Sequence, residues 1–236
     1  MTDDRQDLQP QRLNRAGVLR GALGITSVMA FVAPFGLAFG AAAVDRGMPA
    51  ETIMIMTTVV FAGAAQFAAL DFWRDPMPLV ALLVTTFAIN ARMLLMGASL
   101  YTWVAPLPAA QRYMMLAVLT DASWAWALKR RAQGERDASI LLGAGLALWA
   151  GWVAATGIGV AIGADLGDIS RYGLDVIMVV FFASLVVGLW KGPEDLLPWA
   201  VAAVVGLGGS WLLPAGWHVL AGALAGGTVG ALRHAR

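Results

Sequence analysis

Two charged residues stand where a greasy chain should have none. Arg92 lies in the segment NARMLLMGASL (90–100) and Asp121 in LTDASWA (119–125), both inside long apolar runs. Asn90 and Ser99 flank Arg92, and Gln66 sits in FAGAAQFA (61–68), where alanines and a glycine leave room beside it. An arginine or aspartate at the centre of a bilayer costs about 2.5–3.5 kcal/mol on insertion scales, so such residues face a bundle interior or a wet cavity and find partners. A guanidinium suits a carboxylate through paired donors, and an aspartate can hold an ammonium or carry a proton. Those are the two ends of a zwitterionic amino acid. Arg92, Asn90, Gln66, Ser99 and Asp121 are therefore the candidate substrate-binding residues. The competing reading is structural: Arg92 snorkels outward and Asp121 completes a packing pair.

Composition identifies the solvent around these groups. The chain has 236 residues, 59% hydrophobic and 13% charged, with a mean hydropathy of +0.72. A soluble domain carries about 25% charged residues, and several runs here approach the roughly 20 apolar residues that cross a bilayer. The expected fold is an all-α polytopic membrane protein. There are no cysteines, which excludes disulfides, thiolate metal sites and thiol catalysis. A net charge of +1 gives no reason to expect nucleic acid. The two histidines, His218 and His234, form no dyad with a motif serine and no HExxH pattern. No catalytic residue, metal site or cofactor is expected, and the chain does not read as an enzyme.

The apolar runs predict about eight spans, near 18–43, 52–70, 78–103, 112–128, 140–163, 173–190, 196–213 and 216–232. Seven is the alternative, because the last two are short enough to form a re-entrant hairpin. Residues 1–17 form a polar N-terminal arm, 18–232 the transmembrane domain, and 233–236 a tail. Cytoplasmic loops are rich in Lys and Arg. Arg5, Arg12, Arg15 and Arg20 precede the first span; Lys129, Arg130, Arg131 and Arg136 follow the fourth; Lys191 follows the sixth; Arg233 and Arg236 end the chain. Both termini are expected in the cytoplasm, leaving Arg46, Arg112 and Arg171 outside. On that topology the third span rises and the fourth descends. At 1.5 Å per residue, Arg92 and Asp121 then reach nearly one depth on antiparallel helices.

Small residues are patterned too. Gly36-Leu-Ala-Phe-Gly-Ala41 recurs as Gly159-Val-Ala-Ile-Gly-Ala164, and Trp73-Arg-Asp-Pro76 is echoed by Trp190-Lys-Gly-Pro193. Each echo returns after four spans, which suggests two repeated four-helix halves in parallel orientation. Chance matches among small residues are the alternative. The Gly36/Gly40, Gly159/Gly163, Gly222/Gly226 and Gly226/Gly230 pairs are suited to close helix packing in lipid. Pro34 is a candidate kink or break in the first span. Trp73, Trp103, Trp190, Trp199, Trp211 and Trp217 fall at span ends, where indoles anchor in the headgroup layer, whereas Trp149 and Trp152 fall mid-span and read as core.

The three polar segments, in this order and at this spacing, resemble the signatures of the AzlC-type branched-chain amino acid exporters, and the resemblance extends over nearly the whole chain. It implies export of leucine, isoleucine, valine or similar apolar amino acids across the inner membrane of a bacterium. It also implies a two-component permease, this chain being the large subunit beside a small AzlD-type four-helix membrane partner, with the proton gradient as drive. The family's helix 3 pattern commonly reads N-x-R-H-x-x-Y-x-x-S. Here Asn90, Arg92 and Ser99 match, but Met93 and Met96 replace the histidine and tyrosine. In the T-D-E pattern, Thr120 and Asp121 match and Ala122 replaces the glutamate. A proton-relay role for those missing residues does not carry over, and the methionines make the pocket softer and more apolar. Other classes fit less well. An ABC importer permease would carry an EAA-type coupling loop, which is absent; a channel or a structural membrane subunit is the alternative.

Overall fold

In the computed structural model the described residues are 12–166, Ala183, Val187, Trp190, 192–213 and 217–234. All regular structure among them is helical. They belong to two compact units: Met1–Ala62 with Ala91–Gly167, and Gly63–Asn90 with Asp168–Arg236. The span expected at 173–190 lies outside the described residues, apart from three single positions.

The first unit is organised on one long helix. Its helices are α1 (Arg15–Gly24), α2 (Thr26–Asp45), α3 (Ala50–Val59), α6 (Arg92–Val104), α7 (Ala109–Ala117), α8 (Asp121–Ala132) and α9 (Ser139–Leu166). At 28 residues, α9 is about 42 Å long, enough to cross a bilayer with its headgroups. α1 and α2 run beside it in the same direction, through contacts only glycine permits. A methyl group on Gly21 would overlap the Ile140 carbonyl, one on Gly143 the Val18 carbonyl, one on Gly40 the Thr156 carbonyl, and one on Gly159 the Leu37 carbonyl. The echoed segments Gly36–Ala41 and Gly159–Ala164 thus face each other. Close packing in lipid demands small residues at i and i+4 on both partners, so the packing accounts for the echo without invoking duplicated halves.

The arm is shorter than expected, since α1 begins at Arg15. Asn14 caps it, its side chain accepting a hydrogen bond from the Gly17 amide at 2.7 Å. The first span breaks at Ile25 and not at Pro34. α2 continues through Pro34, which is exposed and forfeits one backbone hydrogen bond, while the glycine seam beyond it holds the helix on α9. At the break, Gly24 admits the Trp126 ring, to which a methyl would come within 2.7 Å, and the Thr26 hydroxyl donates to the Leu23 carbonyl at 2.9 Å.

A larger correction concerns the fourth span. The sequence reads 112–128 as one crossing helix with Arg112 on the far side from Arg131. The structure has two half-length helices, α7 and α8, separated at residues 118–120. The Leu13 amide donates to Gln111 Oε1 at 3.0 Å, which places the start of α7 beside the N-terminal arm. The Trp103 indole donates to the Arg136 carbonyl at 2.9 Å, and Arg131 donates to the Thr102 hydroxyl at 3.1 Å. Asn14 reaches Asp137 Oδ2 at 2.8 Å, and its amide donates to Ser139 Oγ at 3.0 Å. The start of α1, the end of α6, the start of α7, the end of α8 and the start of α9 therefore share one end of the unit. α7 and α8 form a hairpin that enters and leaves by that end. α6 and α8 consequently run parallel, where the sequence-based topology has them antiparallel. Trp103 is buried under this end, beneath the Arg131 guanidinium at 5.6 Å from its ring centre, and is no outer anchor. Arg112 joins Arg12, Arg15, Arg20, Lys129, Arg130, Arg131 and Arg136 there, which sharpens the charge asymmetry the sequence shows.

The second unit contains α4 (Gly63–Leu70), α5 (Leu79–Asn90), α10 (Leu196–Leu212) and α11 (Trp217–His234). α10 and α11 are antiparallel and close-packed: a methyl on Gly226 would lie 2.7 Å from the Pro198 carbonyl, and one on Gly222 equally near that of Ala202. α11 runs through His234, two residues into the expected tail. Among the described residues, four helical runs have the length and composition to cross a membrane: Thr26–Asp45, Leu79–Val104 (shared by α5 and α6), Ser139–Ala164 and Pro193–Leu212. The other expected spans within the described residues are met by shorter helices or by interrupted ones.

Candidate functional site

Each of the three motifs coincides with a helix interruption. α3 ends at Val59 and α4 begins at Gly63, within the first motif; α5 ends at Asn90 and α6 begins at Arg92, in the second; α7 ends at Ala117 and α8 begins at Asp121, in the third. Interrupted helices matter in membranes because their ends expose backbone groups that lipid cannot satisfy. The chain compensates for some locally. Trp149 of α9 donates its indole N–H to the Thr58 carbonyl at 3.0 Å, at the end of α3. Trp152, buried on the same helix, stacks on Phe39 with ring centres 6.3 Å apart. Both mid-span tryptophans are structural, as their positions suggest.

The third interruption is built by a capping box. Thr120 accepts from the Ser123 amide at 3.2 Å, and Ser123 Oγ accepts from the Thr120 amide at 2.9 Å. This reciprocal pair satisfies two amides that would otherwise be orphaned at the α8 start. Asp121 follows in the first turn, where the helix dipole favours an anion, and Lys129, Arg130 and Arg131 occupy the last turn, where it favours cations. The hairpin tip lies against α9 at Gly145, where a methyl would crowd the Val118 carbonyl and side chain.

Arg92 and Asp121 meet here. The guanidinium Nη2 is 2.8 Å from Asp121 Oδ2, with the two side chains 35% and 43% exposed. Arg92 Nε is buried and has no hydrogen-bond partner. From this pair to the basic end, α6 and α8 each run 12 or 13 residues, about 18 Å, so the charges lie near the middle of a 30 Å hydrocarbon layer. The equal depth inferred from sequence holds, but through two parallel half-helices starting together. An exposed ion pair contributes about 0–1 kcal/mol, less than the insertion cost of either charge alone. The pair therefore offsets only part of that cost.

Beside the pair runs an apolar groove of about 600 Å³, lined by Met93, Leu94, Gly97, Ala98, Tyr101, Leu116 and Leu119. Met93 is one of the two methionines that depart from the commoner motif. Gly97 keeps the groove open, since a methyl there would lie 3.5 Å from Leu116, an ordinary contact. The groove and sequence motif together reveal lining residues that charge alone did not indicate: Gly97, Leu116 and Leu119 carry no chemical signal in a chain this apolar.

The remaining candidates divide. Ser99 accepts the Trp124 indole N–H at 2.8 Å and donates to the Met96 carbonyl at 2.7 Å, tying α6 to α8 one layer below the pair. Gln66 is fully buried in α4 with its side chain engaged. Asn90 closes α5 and has a buried, unpartnered Oδ1. Both belong to the second unit. His218 lines a cavity of about 380 Å³ in that unit with Ser210, and its Nδ1 is buried without a partner.

No curated relative and no solved structure matches the chain. The AzlC protein family model matches residues 27–166, a narrower stretch than the near-complete coverage the motifs suggest, running from the start of α2 to the end of α9. That stretch is more than half of the chain and includes all three interrupted motifs and the Arg92–Asp121 pair, and with its apolar helices it makes this protein a member of the AzlC family, a family of membrane transporters.

Proposed function

We propose that the protein exports branched-chain or similarly apolar amino acids, and that the substrate is held at the Arg92–Asp121 pair with its side chain in the adjoining groove. The observation that carries this reading is the Arg92 guanidinium: one nitrogen holds Asp121 while Nε is buried and unpartnered, and the next residue, Met93, lines the apolar groove. A substrate carboxylate supplies the missing acceptor in planar, two-point geometry, and Asp121 receives the ammonium. The apolar lining favours leucine-sized side chains and offers nothing to a polar one. Ser99 acts in this proposal by holding Trp124. The family resemblance supplies the direction of transport, the bacterial inner membrane and the small AzlD-type partner. The basic end of the first unit is proposed to face the cytoplasm, following the excess of Lys and Arg there.

Export of labelled leucine and valine from cells with matched protein levels, with the small partner coexpressed, tests the site. Arg92→Lys keeps the charge but loses the planar fork, so export falls severely. Arg92→Ala with Asp121→Ala removes both mid-span charges and inserts normally, yet exports nothing. Wild-type flux from that double variant would reduce the pair to a structural contact and end the reading.

A further inference from the structure

We propose that the basic end of the first unit contains a binding site for the phosphate headgroup of an anionic phospholipid, formed by Arg131 and Arg136 over the end of α6. The site is a cavity of about 320 Å³ lined by Thr102, Trp103, Pro106, Arg131, Gly134, Glu135 and Arg136. Below it, contacts hold the Arg131 guanidinium and the Arg136 backbone. Arg131 lies over the Trp103 ring and donates one nitrogen to Thr102 Oγ1 at 3.1 Å. The Trp103 indole fixes the Arg136 carbonyl at 2.9 Å. Gly134 turns the chain between the two arginines at φ +96°, a conformation that side chains disfavour. Neither arginine forms an ion pair with any described residue, although the neighbouring Arg20 is paired with Asp137. The lining also includes one carboxylate, Glu135, whose Oε1 accepts the Asp137 amide at 3.0 Å, so the two cations outnumber it.

Depth places this cavity at the headgroup layer. It lies at the ends of α6 and α8, about 18 Å along each helix from the mid-span pair, where the hydrocarbon ends. A tryptophan beneath the Arg131 guanidinium, with Arg136 in the same cavity lining, offers donors for phosphate and an apolar shelf for the glycerol backbone. Basic pockets between membrane helices on the cytoplasmic side are where anionic headgroups bind, and planar guanidinium forks match phosphate oxygens. A free phosphate ion shares the donor chemistry but has no acyl chains to anchor beside exposed Tyr101 and Tyr113.

The test uses the full chain in neutral detergent, titrated with phosphatidylglycerol, phosphatidylcholine or inorganic phosphate and followed by native mass spectrometry. Phosphatidylglycerol should bind saturably and phosphatidylcholine should not. A cation near anionic lipid contributes enough that Arg131→Gln with Arg136→Gln should weaken binding roughly 25-fold. Arg12→Gln with Arg15→Gln, at the same end but outside the cavity, should change it far less. Thermal melting without lipid shows that each variant is folded. Equal phosphatidylglycerol affinity in wild type and the Arg131/Arg136 variant overturns the site. Arginine-dependent binding of inorganic phosphate as tight as that of the lipid overturns the lipid assignment.

Discussion

If α7 and α8 form a hairpin entering from one end, residues 110 and 133 must be reachable from the same face of the membrane. The alternative is a single helix through this region. At 1.5 Å per residue, 23 residues would separate the two positions by about 35 Å, more than the 30 Å hydrocarbon thickness, and put them on opposite faces. In the structure α7 has nine residues and α8 twelve, about 13 and 18 Å, so neither crosses and the tip at 118–120 stops near mid-membrane. Because the chain has no native cysteine, single-cysteine variants report without background. Ala110→Cys and Gln133→Cys are both exposed positions, and Glu51→Cys marks the opposite end at the start of α3. Membrane-impermeant maleimide applied to vesicles of each orientation should label positions 110 and 133 from one face and position 51 from the other. Labelling of 110 and 133 from opposite faces would refute the hairpin and restore the single-span reading.

Two further outcomes follow from the same packing. Gly159→Ala places a methyl against the Leu37 carbonyl and should lower the melting temperature by several degrees, overpacking of this kind costing about 1–3 kcal/mol at roughly 2–4 °C each; Gly157→Ala, whose methyl would meet only Met54 at 3.6 Å, should be near neutral, and equal losses would contradict the glycine seam. At the basic end, burial opposes ionisation of Asp137, but hydrogen bonds from Asn14 and Ser139 and the Arg20 charge outweigh it and hold the carboxyl below its ordinary 3.8. Its contribution is present above pH 3.8 and lost as pH falls through the lowered value, so melting of wild type should show an acid-sensitive component there that Asp137→Asn lacks; parallel pH profiles would contradict it.

The sequence displays the site's charges plainly, because an arginine and an aspartate in apolar runs have few physical excuses. Equal depth followed from helix rise alone, and membrane class from composition. What it hid was direction. The break at Val118, Leu119 and Thr120 contains no proline or glycine and leaves hydropathy unbroken, and α7, the break and α8 together match one crossing helix in length. One signal was available: Thr120 followed by Asp121 and Ser123 is a helix start, in the middle of what reads as a span. Arg112 was the second, an outer cation that a hairpin moves to the basic side. A break at Pro34 did not occur, since a single forfeited hydrogen bond is small beside a packed glycine seam. Gly97 and Leu116 became recognisable as groove residues only once α6 and α7 were seen side by side.

The charge arrangement on α8 has an electrical consequence. On the proposed orientation, with its base toward the cytoplasm, the half-helix carries three cations at the interface and one anion near mid-membrane. A charge crossing the full membrane field changes energy by about 2.3 kcal/mol per 100 mV. Dragging Lys129, Arg130 and Arg131 outward through half of that field would therefore cost roughly 3–4 kcal/mol against an inside-negative potential. On that orientation voltage as well as packing holds the hairpin at its base. Its apolar tip, which carries no charge between Val118 and Thr120, can move without electrical work.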